Sequence, residues 1–138
     1  TNVLILKLKT YICNMIAKTS HIYYHIVFCT KYRRKVLNSE IENRVKELLK
    51  ESEDGFKIKE IEVMPDHVHC FVELTSTEKS PHAIVARLKG YSSRFLRKEF
   101  ASLKTKIPSM WTRSYYIGSV GNVSKEVIEK YIQNQKNV

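Results

Sequence analysis

The sequence predicts an α+β fold in which an antiparallel sheet packs against helices. Segments rich in β-branched and aromatic residues alternate along the chain with segments whose apolar residues recur at helical spacing. The 138 residues, 43% of them hydrophobic, are enough for one compact domain with a buried core. No repeat or linker divides the sequence, so we assign residues 21–138 to a single domain. Residues 1–20 lack a clear period and are assigned to an N-terminal extension.

The first strand and the first helix are predicted by residue type and by a capping signal. Residues 21–30 are rich in β-branched and aromatic side chains, which are typical of a buried strand. Ser39 and Glu42 then form the pattern of a capping box, in which two side chains satisfy free amides at a helix start. Apolar residues at helical spacing follow. We therefore predict a helix that is capped by Ser39 and ends near Gly55.

Two strands joined by a tight turn are predicted next. Residues 56–64 alternate well enough for a second strand, and residues 67–74 form a third. Pro65 and Asp66 between them are residue types that favour turns. The alternation in the second strand predicts one face with Phe56, Ile58 and Glu60 and another with Lys57, Lys59 and Ile61.

A second helix, a fourth strand and a last helix complete the predicted order. Ser80 followed by proline indicates a helix start, because proline is tolerated in the first helical position. Residues 114–120 predict the fourth strand, and Ser124 then caps a helix that runs through Tyr131 to about residue 136. The order β-α-β-β-α-β, with a C-terminal helix carrying the tyrosine, is that of a ferredoxin-like sandwich. Because this fold hosts many chemistries, the function has to be argued from individual residues.

The charge distribution predicts a polyanionic partner. The formal charge is +10, from 24 Lys and Arg against 14 Asp and Glu. Residues 81–120 carry eight Lys or Arg and a single acidic residue, Glu99, which favours a binding face over a uniformly basic surface. The longest apolar stretch, residues 3–8, is far shorter than the roughly 20 residues of a membrane span. We therefore expect a soluble, cytoplasmic protein with no membrane partner.

Two groups of basic residues are candidates for contacts to nucleic acid. The first follows the predicted first strand, where basic side chains flank a tyrosine, a mixture suited to phosphate contacts and base stacking. The second lies on the predicted second helix. The proposed DNA-binding residues are Lys31, Arg33 and Arg34 in the first group and Arg87, Lys89, Arg94, Arg97 and Lys98 in the second.

The tripeptide His67-Val68-His69 is the most informative local feature. On a strand, side chains at positions i and i+2 point to the same face, so the two imidazoles converge. Imidazole is the commonest metal ligand among protein side chains, which makes the pair a candidate metal site. His21 and His25 also lie in a predicted strand, but a lone histidine there is more often packed or hydrogen-bonded than a ligand. We therefore leave both out of the site.

The last helix supplies a candidate nucleophile and a candidate third ligand. Tyr131 and Gln135 are four residues apart and share one helix face. A phenol has an ordinary pKa of about 10, so it needs a nearby cation to react as phenolate. The side-chain carbonyl of Gln135 is a hard ligand suited to Mg²⁺ or Mn²⁺. The same spacing also fits an amphipathic stripe in which Tyr131 only packs. Asp66, beside the histidines, is a candidate to orient one imidazole.

Five segments resemble the single-tyrosine HUH transposases, the smaller transposases of the insertion-sequence 200/605 group. They are HIYYHIVFCTKYRRKVL at 21–37, MPDHVHCFVEL at 64–74, LKGYSSRFLRKEF at 88–100, MWTRSYYIGSVG at 110–121 and YIQNQK at 131–136. The family's motif of two histidines flanking a bulky apolar residue is met by residues 67–69. The resemblance maps the nucleophile to Tyr131 and the third metal ligand to Gln135. Residues 1–20 exceed the usual start of the family.

The resemblance implies a mechanism and a set of partners. Tyr131 would attack a phosphodiester of single-stranded DNA, giving a 5′-phosphotyrosine and a free 3′-hydroxyl, with His67, His69 and Gln135 holding Mg²⁺ or Mn²⁺. Rejoining would need no ATP or other nucleotide cofactor. Members of the family bind hairpins near transposon ends as homodimers, and the tyrosine helix of one subunit can complete the site of the other.

Two alternatives stay open at this stage. A related HUH nuclease that cuts repeated palindromes without mobilising its own element fits the same residues. A non-catalytic ferredoxin-like nucleic-acid-binding module also fits the predicted fold. RNA-binding modules of that kind carry a glycine- and aromatic-rich strand motif, and no predicted strand has it.

Overall fold

The computed structural model describes residues 22–120 together with Val3, and it confirms the ferredoxin-like α+β fold. The strands are β1 (Tyr23–Cys29), β2 (Phe56–Met64), β3 (His67–Leu74) and β4 (Tyr116–Val120). The helices are α1 (Ser39–Glu51), α2 (Pro81–Glu99) and the short α3 (Ala101–Lys106), and a 3-10 turn spans Lys31–Arg33. Apart from Val3, the proposed N-terminal extension lies outside the described residues, as does the predicted last helix with Tyr131 and Gln135.

The four strands form one antiparallel sheet in the order β2-β3-β1-β4. The two central strands are therefore β1 and β3, which are separated in sequence by a helix and an edge strand. Backbone hydrogen bonds on both sides hold each central strand, so their side chains have a fixed spacing and direction. None of the helices described here is long and apolar enough to cross a lipid bilayer.

The sheet has two chemically different faces. On the helix face, alternate strand residues pack with α1 and α2 to form the core: Ile26, Phe28, Val68, Cys70 and Val72 meet Val45, Leu48, Leu49, Ile84, Leu88 and Leu96. The strand residues between them point to the opposite side, which we call the histidine face. On the central strands this face carries Tyr23, His25, Val27 and Cys29 from β1 and His67, His69, Phe71 and Glu73 from β3.

The predicted faces of β2 are wrong beyond Ile58. Phe56 and Ile58 are buried on the helix face, as expected. The register with β3 then shifts between Ile58 and Glu60, so that Glu60 lies opposite Phe71 and Ile61 lies opposite Cys70. A β-bulge of this kind inserts one residue and exchanges the faces of the residues that follow. Ile61 therefore packs against the core.

The predicted capping box of α1 is also wrong. Ser39 is the first residue of α1 and has a left-handed backbone with φ of 48°, whereas the N-cap position belongs to Asn38. No side chain caps the amides of this helix start. The carboxylate of Glu42 instead pairs with Lys46 one turn later, at 3.6 Å.

The start of α2 follows its sequence signals. Ser80 is the N-cap, and its hydroxyl accepts a hydrogen bond from the amide of Ala83 at 3.1 Å, while Pro81 occupies the first turn. Arg44 of α1 donates two hydrogen bonds to Glu99 at the end of α2, at 2.8 and 2.9 Å. The two helices are thus joined across the core by packing and by a bidentate ion pair.

The segment between α3 and β4 is held in place by Trp111. Its indole is buried edge-on against Phe28, with ring centroids 4.7 Å apart, and its Nε1 donates to the hydroxyl of Ser92 at 3.0 Å. Trp111 also forms an isolated β-bridge with Thr30, just beyond the end of β1. Trp111 therefore belongs to the core.

We expect Trp111→Phe and Ser92→Ala each to lower the free energy of unfolding by about 1–3 kcal/mol, because each removes a buried hydrogen bond and some packing. The double variant should cost less than the sum of the two by about 1 kcal/mol, since the same bond cannot be removed twice. Urea unfolding of all four proteins measures this coupling. Strictly additive costs would show that the indole–hydroxyl contact contributes nothing to stability.

Candidate active site

His67 and His69 lie side by side on the histidine face, at the start of β3. Their ring centroids are 5.0 Å apart and their planes are inclined by 69°. Both side chains are half-buried. Because β3 is a central strand, the backbone that carries both imidazoles is paired on two sides.

Asp66 holds the ring of His67. The Oδ1 atom of Asp66 lies 2.7 Å from Nδ1 of His67. The pKa of Asp66 lies below its ordinary value, chiefly because of this hydrogen bond. Arg33 lowers it further. The backbone carbonyl of Asp66 accepts the amide of Thr30 at 3.0 Å, which fixes the turn between β2 and β3 against the end of β1. The sequence hypothesis that Asp66 can orient a histidine is therefore compatible with its position.

Arg33 reaches the same carboxylate from the 3-10 turn. Tyr32 and Arg33 both have left-handed backbones, with φ of 58° and 52°. Nε and Nη2 of Arg33 lie 3.2 and 3.1 Å from Oδ2 of Asp66. The Arg33 side chain is 63% exposed, so the pair stabilises the fold by no more than about 1 kcal/mol. Its effect is local: it orients the Asp66 carboxylate and compensates its charge.

His25 contacts the ring of His69, although the sequence analysis left His25 out of the site. The Nε2 atom of His25 lies 3.2 Å from Nδ1 of His69, and the two rings are nearly parallel, at 20°. His25 lies opposite Phe71 in the register of β1 and β3, so it is a diagonal neighbour of His69. The pairing of β1 with β3 in the predicted fold, together with alternation along β1, could have placed His25 on this face.

The imidazoles of His25 and His69 are held in the uncharged form. The pKa of His69 is lowered to about 4, chiefly by burial and then by repulsion from His67 and His25. Burial also lowers the pKa of His25. A neutral imidazole has a lone pair available for a metal ion, so His69 needs to lose no proton before it can act as a ligand at neutral pH.

The two histidines fit a divalent cation as part of a ligand set. The Nδ1 atom of each ring faces a protein partner, so Nε2 is the nitrogen suited to a metal. Among the residues described, no group of three His, Cys, Asp or Glu side chains could hold a metal ion. Two imidazoles alone are an incomplete site, and the expected third ligand, Gln135, lies outside the described part of the chain.

Several predicted DNA-binding residues of α2 also have contacts within the protein. Three of them donate to backbone carbonyl groups: Arg87 to Ser52, Lys89 to Thr112 and Arg97 to Ile107. The other two, Arg94 and Lys98, are exposed. In the 3-10 turn, the ammonium group of Lys31 lies 5.4 Å from the ring centroid of the exposed Tyr32, and Arg34 is exposed.

Comparison with solved structures defines the class of protein. The fold matches the crystal structure of a putative transposase from Deinococcus radiodurans with a TM-score of 0.66 and 32% identity, over 82% of this chain and 89% of that one. It also matches a REP-associated tyrosine transposase bound to a REP hairpin, with a TM-score of 0.56. That second match is 14% identical over 84% of this chain and 67% of the other, so it shows the fold alone. The protein is thus of the transposase class.

Comparison of sequences identifies the family. The model of the IS200-like transposases matches residues 18–135. The ISDra2 transposase TnpA of Deinococcus radiodurans is 35% identical over 116 residues, which cover 81% of this chain and 82% of that protein. The transposase of insertion sequence IS200 from Salmonella typhimurium is 36% identical over 117 residues, covering 81% and 75%. The chain belongs to the IS200-like transposase family, as the sequence resemblance predicts.

In the metal-free protein we expect the Cε1–H resonance of His69 to titrate with a midpoint near pH 4. Well above pH 6.5, His69 is neutral in both the folded and the unfolded chain. In that range it contributes no pH dependence to the free energy of unfolding. As the pH falls from 6.5 towards 4, His69 becomes protonated in the unfolded chain but stays neutral in the folded chain. The free energy of unfolding therefore decreases.

NMR titration measures the midpoint, and urea unfolding at several pH values measures the stability. The control is His69→Gln, which has no titrating ring at this position and should lose less stability between pH 6.5 and 4. A midpoint at or above 6.5 in the wild type would contradict the effect of burial.

Proposed function

We propose that this transposase cleaves and rejoins single-stranded DNA at transposon ends, in the cytoplasm of a prokaryotic cell, with Tyr131 as the nucleophile. The observation that carries the proposal is the orientation of His67 and His69, whose Nδ1 atoms both face protein partners. That arrangement suits two Nε2 ligands to one divalent cation beside a reacting phosphate. Membership of the IS200-like family supplies the chemical context.

In this proposal His67, His69 and Gln135 hold Mg²⁺ or Mn²⁺. When bound, such an ion polarises a phosphate oxygen and balances the charge of the transition state. The protein contributes two imidazoles on a strand that is paired on both sides, and a hard amide oxygen. Asp66 orients His67, and Arg33 compensates the charge of that carboxylate, which would otherwise repel the DNA phosphate.

The cleavage step exchanges one phosphate ester for another. The phenol oxygen of Tyr131 forms a bond to phosphorus, and the bond from phosphorus to the 3′ oxygen of the preceding nucleotide breaks. The phenolic proton is lost, and the departing 3′ oxygen gains one and leaves as a hydroxyl. Since the phosphotyrosine conserves the energy of the broken ester, a 3′-hydroxyl from another strand can reverse the step without ATP.

Hairpin recognition is assigned to the basic residues, with a homodimer as the working unit. The neighbouring structure bound to a REP hairpin supports a hairpin as ligand of this fold. Arg94 and Lys98 on α2 and Lys31 and Arg34 near the 3-10 turn carry the basic groups best disposed for phosphate contacts. In the proposed dimer, the helix with Tyr131 completes the site formed by the histidines of its own subunit or of the other subunit.

We expect the wild type to form an SDS-stable adduct with a hairpin-bearing single-stranded oligonucleotide in the presence of Mg²⁺, and Tyr131→Phe to form none. Because the tyrosine takes the 5′ phosphate, a label at the 3′ end of the DNA should move with the protein and a 5′ label should be released. Denaturing gels measure both products.

The matched control is Tyr116→Phe, since Tyr116 is 59% exposed on β4 and its ring lies 6.0 Å from that of His25. This variant should retain the adduct. If Tyr116→Phe lost the adduct and Tyr131→Phe kept it, the proposal would name the wrong tyrosine as nucleophile.

We expect Arg94→Gln and Lys98→Gln to weaken hairpin binding and to make it less sensitive to salt. Removal of one phosphate-binding side chain should reduce the slope of log affinity against log salt by about 0.9 for a duplex stem. Fluorescence anisotropy between low and moderate salt measures the slope. Lys57→Gln, an exposed residue of β2 outside the proposed surface, is the control and should leave the slope unchanged. Equal slopes in all four proteins would remove α2 from the DNA surface.

A further inference from the structure

We propose that His25 is a positioning residue that orients His69 for metal binding, in the way that Asp66 orients His67. The inference rests on the proposed metal-dependent function and extends it to a residue on a different strand. His25 Nε2 lies 3.2 Å from His69 Nδ1, within hydrogen-bond distance. A positioning residue acts through another side chain, so His25 is assigned no contact with DNA or metal.

The position of His25 selects which nitrogen of His69 can bind a metal ion. A ring nitrogen 3.2 Å from a second ring nitrogen has no room for a cation between them, so Nδ1 of His69 is excluded. Nε2, on the opposite side of the ring, is the remaining ligand atom. The 2.7 Å contact between Asp66 and His67 makes the same selection on the neighbouring ring. The two ligands are thus matched, each held through Nδ1.

The hydrogen bond also has a required direction. A neutral histidine that gives its Nε2 lone pair to a metal ion carries its proton on Nδ1. His69 must therefore donate from Nδ1, and Nε2 of His25 must accept. Fixing the tautomer and the ring direction before the metal arrives lowers the cost of forming the site.

The sheet holds His25 in place for this role. His25 lies on β1, between β3 and β4, and is opposite Gly118 of β4 in the register. A Cβ atom at Gly118 would lie only 2.6 Å from the hydroxyl oxygen of Tyr116, so glycine leaves the space in which the Tyr116 ring lies. That ring meets His25 edge-on, at 73°, and packs against it.

A neutral acceptor suits a site that receives a phosphate. A carboxylate at position 25 could also accept from His69, but it would add a negative charge beside the reacting anion. The carboxylate that does serve this site, Asp66, is compensated by Arg33 at 3.1 Å. Both ligand histidines are therefore oriented without an uncompensated negative charge from their partners.

The test compares two amides at position 25. The side-chain terminus of glutamine overlaps Nε2 of histidine, whereas that of asparagine overlaps Nδ1 and stops short of His69. We expect His25→Asn to weaken Mn²⁺ binding by roughly 10- to 100-fold and His25→Gln to stay close to the wild type. Mn²⁺ titration followed by electron paramagnetic resonance measures the affinity without any cleavage assay. Thermal unfolding and hairpin affinity, which should be similar in both variants, exclude a general loss of structure.

A second measurement uses the wild-type protein alone. With ¹⁵N-labelled histidine and no metal present, His69 should carry its proton on Nδ1, and this tautomer preference should be lost in His25→Asn. A His69 ring protonated on Nε2 in the wild type would overturn the inference, because His25 would then be the donor.

His67→Ala separates this inference from the proposed function. If His67→Ala abolishes Mn²⁺ binding while His25→Asn binds as the wild type does, His25 has no positioning role and the metal site stands. If His67→Ala binds Mn²⁺ normally, the proposed metal site is wrong, and the role of His25 is overturned with it.

Discussion

Side chains of β3 alternate between the buried core and the histidine face. Val68, Cys70 and Val72 of this strand pack in the core, and the two imidazoles lie on the other side of the sheet. Burial of the apolar set fixes the register, because a slip of one residue would expose it. The stability of the core therefore determines the precision with which the histidines are presented. A site on a loop would not inherit this rigidity.

Charge around the histidines is balanced at short range. The imidazoles of His25 and His69 are kept neutral by burial, and the Asp66 carboxylate shares its two oxygen atoms between His67 and Arg33. A neutral imidazole has a lone pair available for a metal ion. Exposed basic residues lie on α2 and in the 3-10 turn, and Arg33 of that turn also contacts Asp66. The turn therefore links the basic surface to the histidines.

The order of helices and strands along the chain and the pair at 67–69 could be predicted from the sequence because both depend on short-range patterns. The contact of Asp66 was also within reach, since it adjoins the pair in the chain. The contact of His25 depends on which strand is the neighbour of β3 and in what register, so a lone histidine in an apolar strand gave no local signal. The bulge at Lys59 and the left-handed start of α1 at Ser39 were missed for a similar reason. Alternation and capping patterns do not report an inserted residue or an unusual φ.

The unequal attachment of β3 and the 3-10 turn has a consequence for how this protein can diversify. An insertion in β3 would rotate the histidines inwards and the apolar residues outwards, so descendants must keep that strand almost unaltered. The turn at residues 31–33 meets the sheet through backbone hydrogen bonds and through the side chain of Arg33, while Tyr32 points to solvent. Tyr32 can therefore vary with little effect on the imidazoles, whereas an insertion in β3 would displace them.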